Sequence, residues 1–437
     1  MGVALCLTGL SAKSQCAVIG WAGENGGVTG GGTATATTVT TYTELKAAIT
    51  SSSVKVVYVS GTISIPSGGR ISFQDQSAKT IFGLPGSKLV STDLTADNSG
   101  IIYVKRCTNI IIRNLIFEGP GAYDTDGWDN MTLDNCQNVW VDHCEFQDGL
   151  DGNFDIKNMS DYVSVTWCKF IYNKAPIPDG PGGSDDHRFS DLFGSSDGAT
   201  ADRGHLRITL QNCWWAQGCV ARMPRVRFGQ VHVVNNLFNS TVASQCVMAG
   251  FEADLLVESN VFENVNRPID KMDGTYTAIT ARDNVFTSTT GNITGDGTAF
   301  TPPYNLTITP VANVKAAVMA GAGATLTADC LGVLDLTDTQ NGSTRPGGGL
   351  PENSSYIYPN PAKGKATIAV ALKKNEQAVI KVYDAQGRLV DDLPAVTAVT
   401  TGIQKVPLNL TRNTPGIYNV VVTTGKGVKS TYRLVVQ

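Results

Sequence analysis

Apolar and polar residues alternate in short runs along most of the chain, and each run ends in a polar turn. Val139-Trp140-Val141 and Val231-His232-Val233-Val234 are typical of these runs, which are too short for helices and match the two-residue period of a β-strand. An asparagine-rich turn and an aromatic residue follow many of them. The pattern therefore predicts an all-β protein built from many short strands.

The turn and its aromatic residue form a repeat. The aromatic positions lie roughly 23 to 29 residues apart, with one interval of about 45 that predicts an inserted loop. They are Phe117, Phe146, Phe170, Trp215, Phe238, Phe262 and Phe286. A unit this short cannot bury its own apolar face, so stacked units must share one core. Repeated strands without intervening helices predict a right-handed parallel β-helix with a ladder of turn asparagines, whereas a β-propeller needs longer repeats.

The composition of the sequence changes near residue 340. Glycine and proline are frequent between Asn341 and Pro351, which predicts a linker over 339–354. Regularly spaced alternating strands follow, and they predict a small C-terminal β-sandwich over 355–437. We expect the β-helix to occupy residues 16–338.

The beginning of the chain resembles a secretory signal. Residues 1–15 contain a short apolar run followed by small and polar residues, without a basic start. We therefore predict a signal peptide there, either whole or cut short at its beginning in this sequence, with an ordinary buried strand as the alternative. The rest of the chain has no run of about 20 apolar residues, so we expect no membrane span.

Charge is sparse, with 16% charged residues and a formal net charge of −4, and neither value favours binding to nucleic acid. The ten cysteines include no Cys-x-x-Cys pair, so a zinc or redox motif is not supported. Several of them recur at matching places in the repeat, where a buried thiol fills space. We predict mostly stacked core cysteines, with one or two disulfides as an open alternative.

Acidic residues cluster in adjacent repeats. Asp151 and Asp155 are four residues apart, so on a strand both carboxylates point to the same side, and Asp129 comes from the neighbouring coil. Carboxylate oxygens gathered in this way suit Ca²⁺. Solvated turn residues are the alternative interpretation.

Basic residues are concentrated further along the chain. Arg222, Arg225 and Arg227 lie within six residues, which indicates that an anion binds there. Other basic residues precede them, namely Lys174, Arg188, Arg203 and Arg207. Beside the acidic cluster, this strip predicts an acidic polymer bound through a cation. The alternative is that the arginines pair with nearby aspartates such as Asp186 and Asp197.

Several motifs together carry a family resemblance that covers about residues 18–335. They are Val139-Trp140-Val141-Asp142-His143, Asp151-Gly152-x-x-Asp155, Gly194-Ser195-Ser196-Asp197 and Arg222-x-Pro224-Arg225-x-Arg227-x-Gly229. In order and separation they resemble the pectate lyases of polysaccharide lyase family 1. The resemblance implies β-elimination of α-1,4-linked polygalacturonate that leaves 4,5-unsaturated products.

The resemblance also implies roles for single residues. Asp129, Asp151 and Asp155 would hold Ca²⁺, with Asp126 as a further ligand if the first acidic pair is shifted by one residue. Arg222 would remove the C5 proton, although a guanidinium normally stays protonated. Arg227 would bind a substrate carboxylate. The family's substrate-binding lysine corresponds to Lys174, with Arg188 as the alternative, because a loop over 175–186 is inserted here.

A second resemblance covers about residues 355–437. Tyr358-Pro359-Asn360-Pro361-Ala362, the turn at 383–388 and Gly416-Ile417-Tyr418 resemble the C-terminal sorting domain of the type IX secretion system. This implies that the type IX machinery is a partner and that the protein is secreted or attached to the cell surface; we expect a monomer. His143 and His232 are predicted to be structural.

Three other functions remain as alternatives. A pectin lyase would act without calcium, and Asp151 and Asp155 argue against it. A polygalacturonase would hydrolyse the same polymer, but its motifs are not found in the sequence. A non-catalytic β-helix that binds polysaccharide would not need Arg222 at its particular place.

Overall fold

The computed structural model of the chain forms two units, Met1–Asp338 and Thr339–Gln437, each of which is described by itself. It describes residues 18–326, 356–384, 388–399, 402–410, 414, 416–424 and 429–436. The predicted signal peptide and linker lie outside the described residues, and so do Cys6, Cys16 and Cys330.

The first unit is a parallel β-helix in which each complete coil contributes one strand to each of three parallel sheets, A, B and C, and the first and last coils contribute fewer. Sheet A has ten strands, which stack in chain order. They are β1 (Ala36–Val39), β2 (Val56–Val59), β5 (Ser77–Gly83), β8 (Thr108–Arg113), β11 (Gln137–Asp142), β14 (Asp161–Thr166), β17 (Ile208–Gln211), β20 (Gln230–Val234), β23 (Asp254–Glu258) and β26 (Ala278–Arg282).

Sheets B and C complete the coils. Sheet B contains β3 (Thr62–Ile65), β6 (Lys88–Ser91), β9 (Ile116–Glu118), β12 (Glu145–Gln147), β15 (Lys169–Ile171), β18 (Trp214–Trp215), β21 (Leu237–Phe238), β24 (Val261–Glu263) and β27 (Val285–Thr287). Sheet C contains β4 (Ile71–Gln74), β7 (Ile102–Lys105), β10 (Met131–Asp134), β13 (Phe154–Lys157), β16 (Leu192–Phe193), β19 (Arg225–Val226), β22 (Val247–Ala249) and β25 (Ile269–Asp270).

The aromatic residue of each repeat lies in sheet B and points into the core. From Phe117 to Phe286 the rings stack on one another, with centroids 4.4 to 5.4 Å apart between successive coils. Phe170 stacks directly on Trp215, so the long interval in the sequence is an insertion that leaves the stack unbroken. The predicted repeat is confirmed.

The turn from sheet A to sheet B holds a second stack. Asn260 Nδ2 donates to Asn284 Oδ1 at 3.0 Å, and Asn236 Nδ2 donates to Asn260 Oδ1 at the same distance. Cys213 continues this row, because its backbone N–H donates to Asn236 Oδ1. The predicted asparagine ladder is confirmed. The seven described cysteines are all buried and free, so no disulfide forms among them.

Two helices cover the β-helix. The first, α1 (Tyr42–Thr50), begins at a capping box made by Thr41 and Glu44 and buries Leu45 and Ile49 in the main core. The second, α2 (Val311–Gly321), packs Val314 and Val318 against Leu237 and Val261 beside sheet B. No helix within the described ranges is long and apolar enough to cross a membrane.

The second unit is a small, mainly antiparallel β structure with its own apolar core. Its strands are β28 (Tyr356–Lys363), β29 (Lys365–Leu372), β30 (Gln377–Asp384), β31 (Leu389–Thr397), β32 (Gly402–Asn409), β33 (Gly416–Thr424) and β34 (Lys429–Val436). The start of β28 pairs with β29 and its end pairs with β34, so this strand connects β29 and β32 to the strands β31, β30, β33 and β34. The predicted fold class, a parallel β-helix followed by a small β-sandwich, is confirmed.

Candidate active site

The turns that lead from sheet B into sheet C carry the candidate residues. We call them the B-to-C turns, and they span residues 119–130, 148–153, 172–191 and 216–224. Because the coils are stacked in register, these four turns lie one above another along the edge of sheet C. Residues that are far apart in the sequence therefore line one row.

The end of the first B-to-C turn and the start of β13 bring together Asp129 and Asp155. The position where a Cβ would lie on Gly152 is 2.7 Å from Asp129 Oδ1 and 3.5 Å from Asp155 Oδ1, so both carboxylates border one small space. Asp155 lies on β13, whereas Asp151 lies in the turn before it. The expectation that Asp151 and Asp155 share a strand is therefore wrong, although both adjoin the same cluster.

Burial and like charge outweigh the nearby cations at these carboxylates, since Lys157 acts on both and Arg222 acts on Asp129 but both pKa values stay raised. Burial, and then the neighbouring carboxylate of Asp151, raises the pKa of Asp129 to about 6. Burial, and then Asp129, holds the pKa of Asp155 well above its usual range. Thr132 Oγ1 donates to Asp129 and the Leu192 N–H donates to Asp155, at 2.8 and 2.9 Å. Two neutral donors do not balance buried like charges.

The donor set fits Ca²⁺ in kind but is incomplete by itself. Within the part of the chain that the structure describes, no three His, Cys, Asp or Glu side chains converge into a complete metal site. Ca²⁺ takes 6–8 oxygen ligands in flexible geometry. The carboxylates of Asp129 and Asp155 border the space at Gly152 and supply oxygens of the right type, with Asp151 as their neighbour. Further oxygens would have to come from a bound substrate or from water.

Asp126 and Asp124 belong to the same turn but differ in environment. Asp126 is exposed and has a left-handed backbone, with φ of 52°. Asp124 is buried, and its Oδ1 is 3.2 Å from Nδ1 of His187. His187 in turn contacts Asp151, so Asp124 is linked to the acidic cluster through His187.

Arg222 approaches this cluster from the fourth turn. Its guanidinium lies 4.7 Å from the ring centroid of Phe189, and its charge acts on the Asp129 carboxylate. Within the described ranges no carboxylate lies within ion-pair distance of Arg222 or Arg225. Burial, then Arg227 and Arg222, lowers the pKa of Arg225, and the buried Nε of Arg225 has no hydrogen-bond partner.

The other predicted basic residues already have partners. Arg227 Nε donates to Asp197 at 2.6 Å, and its Nη1 donates to the Gly194 carbonyl. Nη2 takes part in neither of these two hydrogen bonds. Arg188 forms two hydrogen bonds to Asp186. Arg203 pairs with Glu252 and Arg207 with Asp161, so much of the predicted basic strip is neutralised by acidic neighbours.

Lys174 contacts a different part of the chain from these arginines. Its Nζ donates to the Gly119 carbonyl at 2.7 Å and is 3.5 Å from Glu118 Oε1. Arg188 instead follows His187 and precedes Phe189, which touch Asp151 and Arg222 respectively. Lys174 and Arg188 lie in the same turn, 172–191, but the direct neighbours of Arg188 are the residues of this turn that contact the acidic cluster and Arg222.

His187 and Phe189 are the residues that sequence reasoning missed. The signal available for them was the run Asp185-Asp186-His187-Arg188 immediately before the Gly194 motif. The two histidines that were considered are structural: His143 contacts Asp142 at 2.7 Å and His232 contacts Glu258 at 2.8 Å, and both rings are buried.

The fold and the site, a parallel β-helix whose B-to-C turns combine buried carboxylates with arginines that lack carboxylate partners in the described ranges, indicate a polysaccharide lyase. The chain belongs to the pectate lyase family, whose profile matches residues 3–331. A second profile, that of a secretion system C-terminal sorting domain, matches residues 356–437. The protein is therefore a polysaccharide lyase with a type IX sorting domain, and it is secreted or attached to the cell surface.

Relatives span most of the first unit. Pectate lyase A of Aspergillus niger is 34% identical over 320 residues, which is 71% of this chain and 88% of that protein. Pectate lyase plyB of Emericella nidulans is 32% identical over 301 residues, 67% of this chain and 82% of that protein. A solved pectate lyase bound to a hexasaccharide has the same fold, with a TM-score of 0.57 and 24% identity over 70% of this chain and 96% of that one.

Proposed function

We propose that the β-helix cleaves α-1,4-linked polygalacturonate by calcium-dependent β-elimination and leaves 4,5-unsaturated oligogalacturonides. The observation that supports this is the meeting of two buried carboxylates, Asp129 and Asp155, with Arg222, which has no carboxylate partner within the described ranges. Buried carboxylates favour a cation, and unpaired guanidinium groups favour an anion. A polymer of galacturonate bound through Ca²⁺ satisfies both demands.

In this proposal Asp129, Asp151 and Asp155 hold the cation. Carboxylate oxygens of the substrate would complete the ligand shell, which explains why the protein side chains do not form a complete site by themselves. Bound there, Ca²⁺ would withdraw electron density from the galacturonate carboxylate and make the C5 proton more acidic. We assign no ligand role to Asp126, because Asp126 is exposed.

Arg222 takes the C5 proton in the proposed reaction. The electron pair of the C5–H bond forms the C4–C5 double bond while the bond from C4 to the glycosidic oxygen breaks. The leaving oxygen takes a proton from water, and Arg222 returns its proton to solvent, so no water is added across the bond. Arg222 must be neutral to act in this way, although a guanidinium ordinarily stays protonated.

Arg227 and Arg188 position the polymer. Nη2 of Arg227 is directed by the two bonds that hold the rest of its guanidinium, and it would bind a substrate carboxylate. We place Arg188, rather than Lys174, in the role of the substrate-binding lysine, because its two neighbours His187 and Phe189 contact Asp151 and Arg222, whereas Lys174 Nζ is bonded to the Gly119 carbonyl. On binding, Arg188 would exchange Asp186 for a substrate carboxylate.

Ultraviolet absorbance of the unsaturated uronate, followed during incubation with polygalacturonate, tests the proposal. We expect absorbance to rise in Ca²⁺ and to stop when a chelator is added. An absorbance that keeps rising after the chelator is added would indicate pectin-lyase-like chemistry. Methyl-esterified pectin would then be the better substrate. Growth of reducing ends without absorbance would indicate hydrolysis and would exclude the role given to Arg222.

A further inference from the structure

His187 spans two carboxylates beside the proposed cation site. It lies in the B-to-C turn 172–191 and is only 6% exposed. Its Nε2 is 2.9 Å from Asp151 Oδ1, and its Nδ1 is 3.2 Å from Asp124 Oδ1. The ring also packs against Phe189, with centroids 4.3 Å apart. The imidazole is therefore hydrogen-bonded through Nε2 and packed against Phe189, whereas Nδ1 faces Asp124 at ion-pair distance without a hydrogen bond.

Asp124 is held from the far side by the loop inserted over 175–186. The backbone N–H of Ser184 donates to Asp124 Oδ2 at 2.8 Å, and that of Gly182 donates to the Asp124 carbonyl at 2.8 Å. A Cβ on Gly182 would lie 2.0 Å from Asp124 Oδ1, so only glycine fits at this place. The loop thus fixes the carboxylate that faces His187.

Asp151 depends on His187 for its orientation. Asp151 lies in the short turn 148–153 rather than on a strand, and among the described residues its carboxylate makes its one hydrogen bond to His187. With Oδ1 held, the direction of the second carboxylate oxygen is restricted. Partners of this kind orient the side chains that bind a metal ion, and losing one typically weakens metal affinity by about 10- to 100-fold.

We propose that His187 is a positioning residue that holds Asp151 ready for the cation, with Asp124 and the inserted loop as its support. The inference rests on the calcium-dependent function proposed above. It assigns the inserted loop a role at the site, because the loop reaches Asp151 through Asp124 and His187.

Terbium luminescence of the full-length protein tests the inference without substrate or turnover. Trp128 is adjacent to Asp129 and would sensitise Tb³⁺ bound at the site, and competition with Ca²⁺ would report the calcium affinity. His187→Gln retains a donor near the place of Nε2, whereas His187→Asn retains one near Nδ1 only. Gly182→Ala disturbs Asp124 without changing a proposed ligand, and Gly23→Ala, which meets open space, is its control.

We expect His187→Ala, His187→Asn and Gly182→Ala to weaken Ca²⁺ binding by about 10- to 100-fold. His187→Gln and Gly23→Ala should remain near wild type. The unfolding temperature without metal should change little in these two and in the other His187 variants, whereas Gly182→Ala should lower it because Asp124 must move. Unchanged affinity in His187→Ala would overturn the inference, and so would equal losses in the Gln and Ala variants. If the wild type shows no binding that Asp151→Asn removes, the calcium-dependent function itself fails.

Discussion

Charged side chains in the groove fall into two groups according to whether a partner is present. Arg188 and Arg227 are paired with Asp186 and Asp197, which holds them in place before any substrate arrives. Arg222 has no such carboxylate partner within the described ranges, and Asp129 has only Thr132 as a donor. Arg222 and Asp129 form the group without ion-pair partners in the described ranges. Binding of an anionic polymer and a cation would therefore be favoured most strongly at these two side chains.

Replacement of Arg222 tests the role of the proposed base. We expect Arg222→Ala to lower kcat by about 10²- to 10⁴-fold, since a positioned general base contributes this much. Formation of unsaturated product measures the loss, and Ca²⁺ binding should be retained. Arg203→Ala removes an exposed pair with Glu252 and should leave turnover nearly unchanged. Equal activity in both variants would contradict the assignment.

Asp129 predicts a pH dependence of stability in the absence of metal. Its pKa in the folded protein is about 6, against an ordinary value of 3.8, so the folded state holds this proton more tightly than the unfolded state. The stabilising contribution is therefore present below about pH 4 and is lost as the pH rises to about 6, at a cost of up to about 3 kcal/mol.

Thermal unfolding in chelator checks this pH dependence. The unfolding temperature of the wild type should fall between about pH 4 and 6 more steeply than that of Asp129→Asn, which cannot ionise. Ca²⁺ at neutral pH should raise the unfolding temperature of the wild type but not that of the variant. Asp126→Asn, at an exposed position, serves as the control. Parallel curves for wild type and Asp129→Asn would rule out the argument.

At the scale of elements, two internal stacks hold the coils in register. The aromatic rings in sheet B contribute buried area, whereas the asparagine ladder satisfies polar groups that the tight turn buries. Asn260 is central, because its Nδ2 also donates to the Val233 carbonyl at 2.9 Å and its Oδ1 accepts from the Asn236 N–H at 2.8 Å. A change at one rung leaves groups unsatisfied on both neighbouring coils.

Substitution of the ladder asparagines measures how much the ladder contributes to the free energy of unfolding. We expect Asn260→Ala to lower the free energy of unfolding by about 2–4 kcal/mol, because it leaves several buried backbone groups without partners. Asn284 ends the ladder and is partly exposed, so Asn284→Ala should cost less, about 1 kcal/mol. Chemical denaturation of each variant gives these values. An equal cost at both positions would show that the ladder does not act as described.

At the scale of the whole molecule, the two units have separate apolar cores. The core of the β-helix runs through all three sheets, and the core of the second unit is formed by residues between Ala362 and Val436. The residues assigned to catalysis all lie in the first unit. Catalysis and sorting are thus assigned to different parts of the chain.

Truncation after Asp338 tests this division. A chain without residues 339–437 should keep its kcat and its calcium requirement, because the site and its core lie before this point. In a host with type IX secretion, the truncated protein should no longer reach the medium, whereas the full chain should. Fractionation of the culture and an absorbance assay measure the two effects. Loss of turnover on truncation would show that the units are not independent.

Regular features could be predicted from the sequence because a local pattern encodes them. The spacing from Phe117 to Phe286 reports one coil per repeat, and Asn236, Asn260 and Asn284 mark its turn. Residue type at a fixed period is enough to predict burial and stacking. The motifs around Asp155 and Arg222 likewise made it possible to predict the family from the sequence.

Only the tertiary structure decided which charges remain unpaired. Asp151 and His187 are 36 residues apart and meet because a long turn folds back along sheet C. The same folding pairs Arg188 and Arg227 with aspartates and leaves Arg222 without one in the described chain. A sequence pattern specifies which residues face the core, but ion pairing depends on distances of a few ångströms between coils and loops, and strand periodicity does not encode these distances.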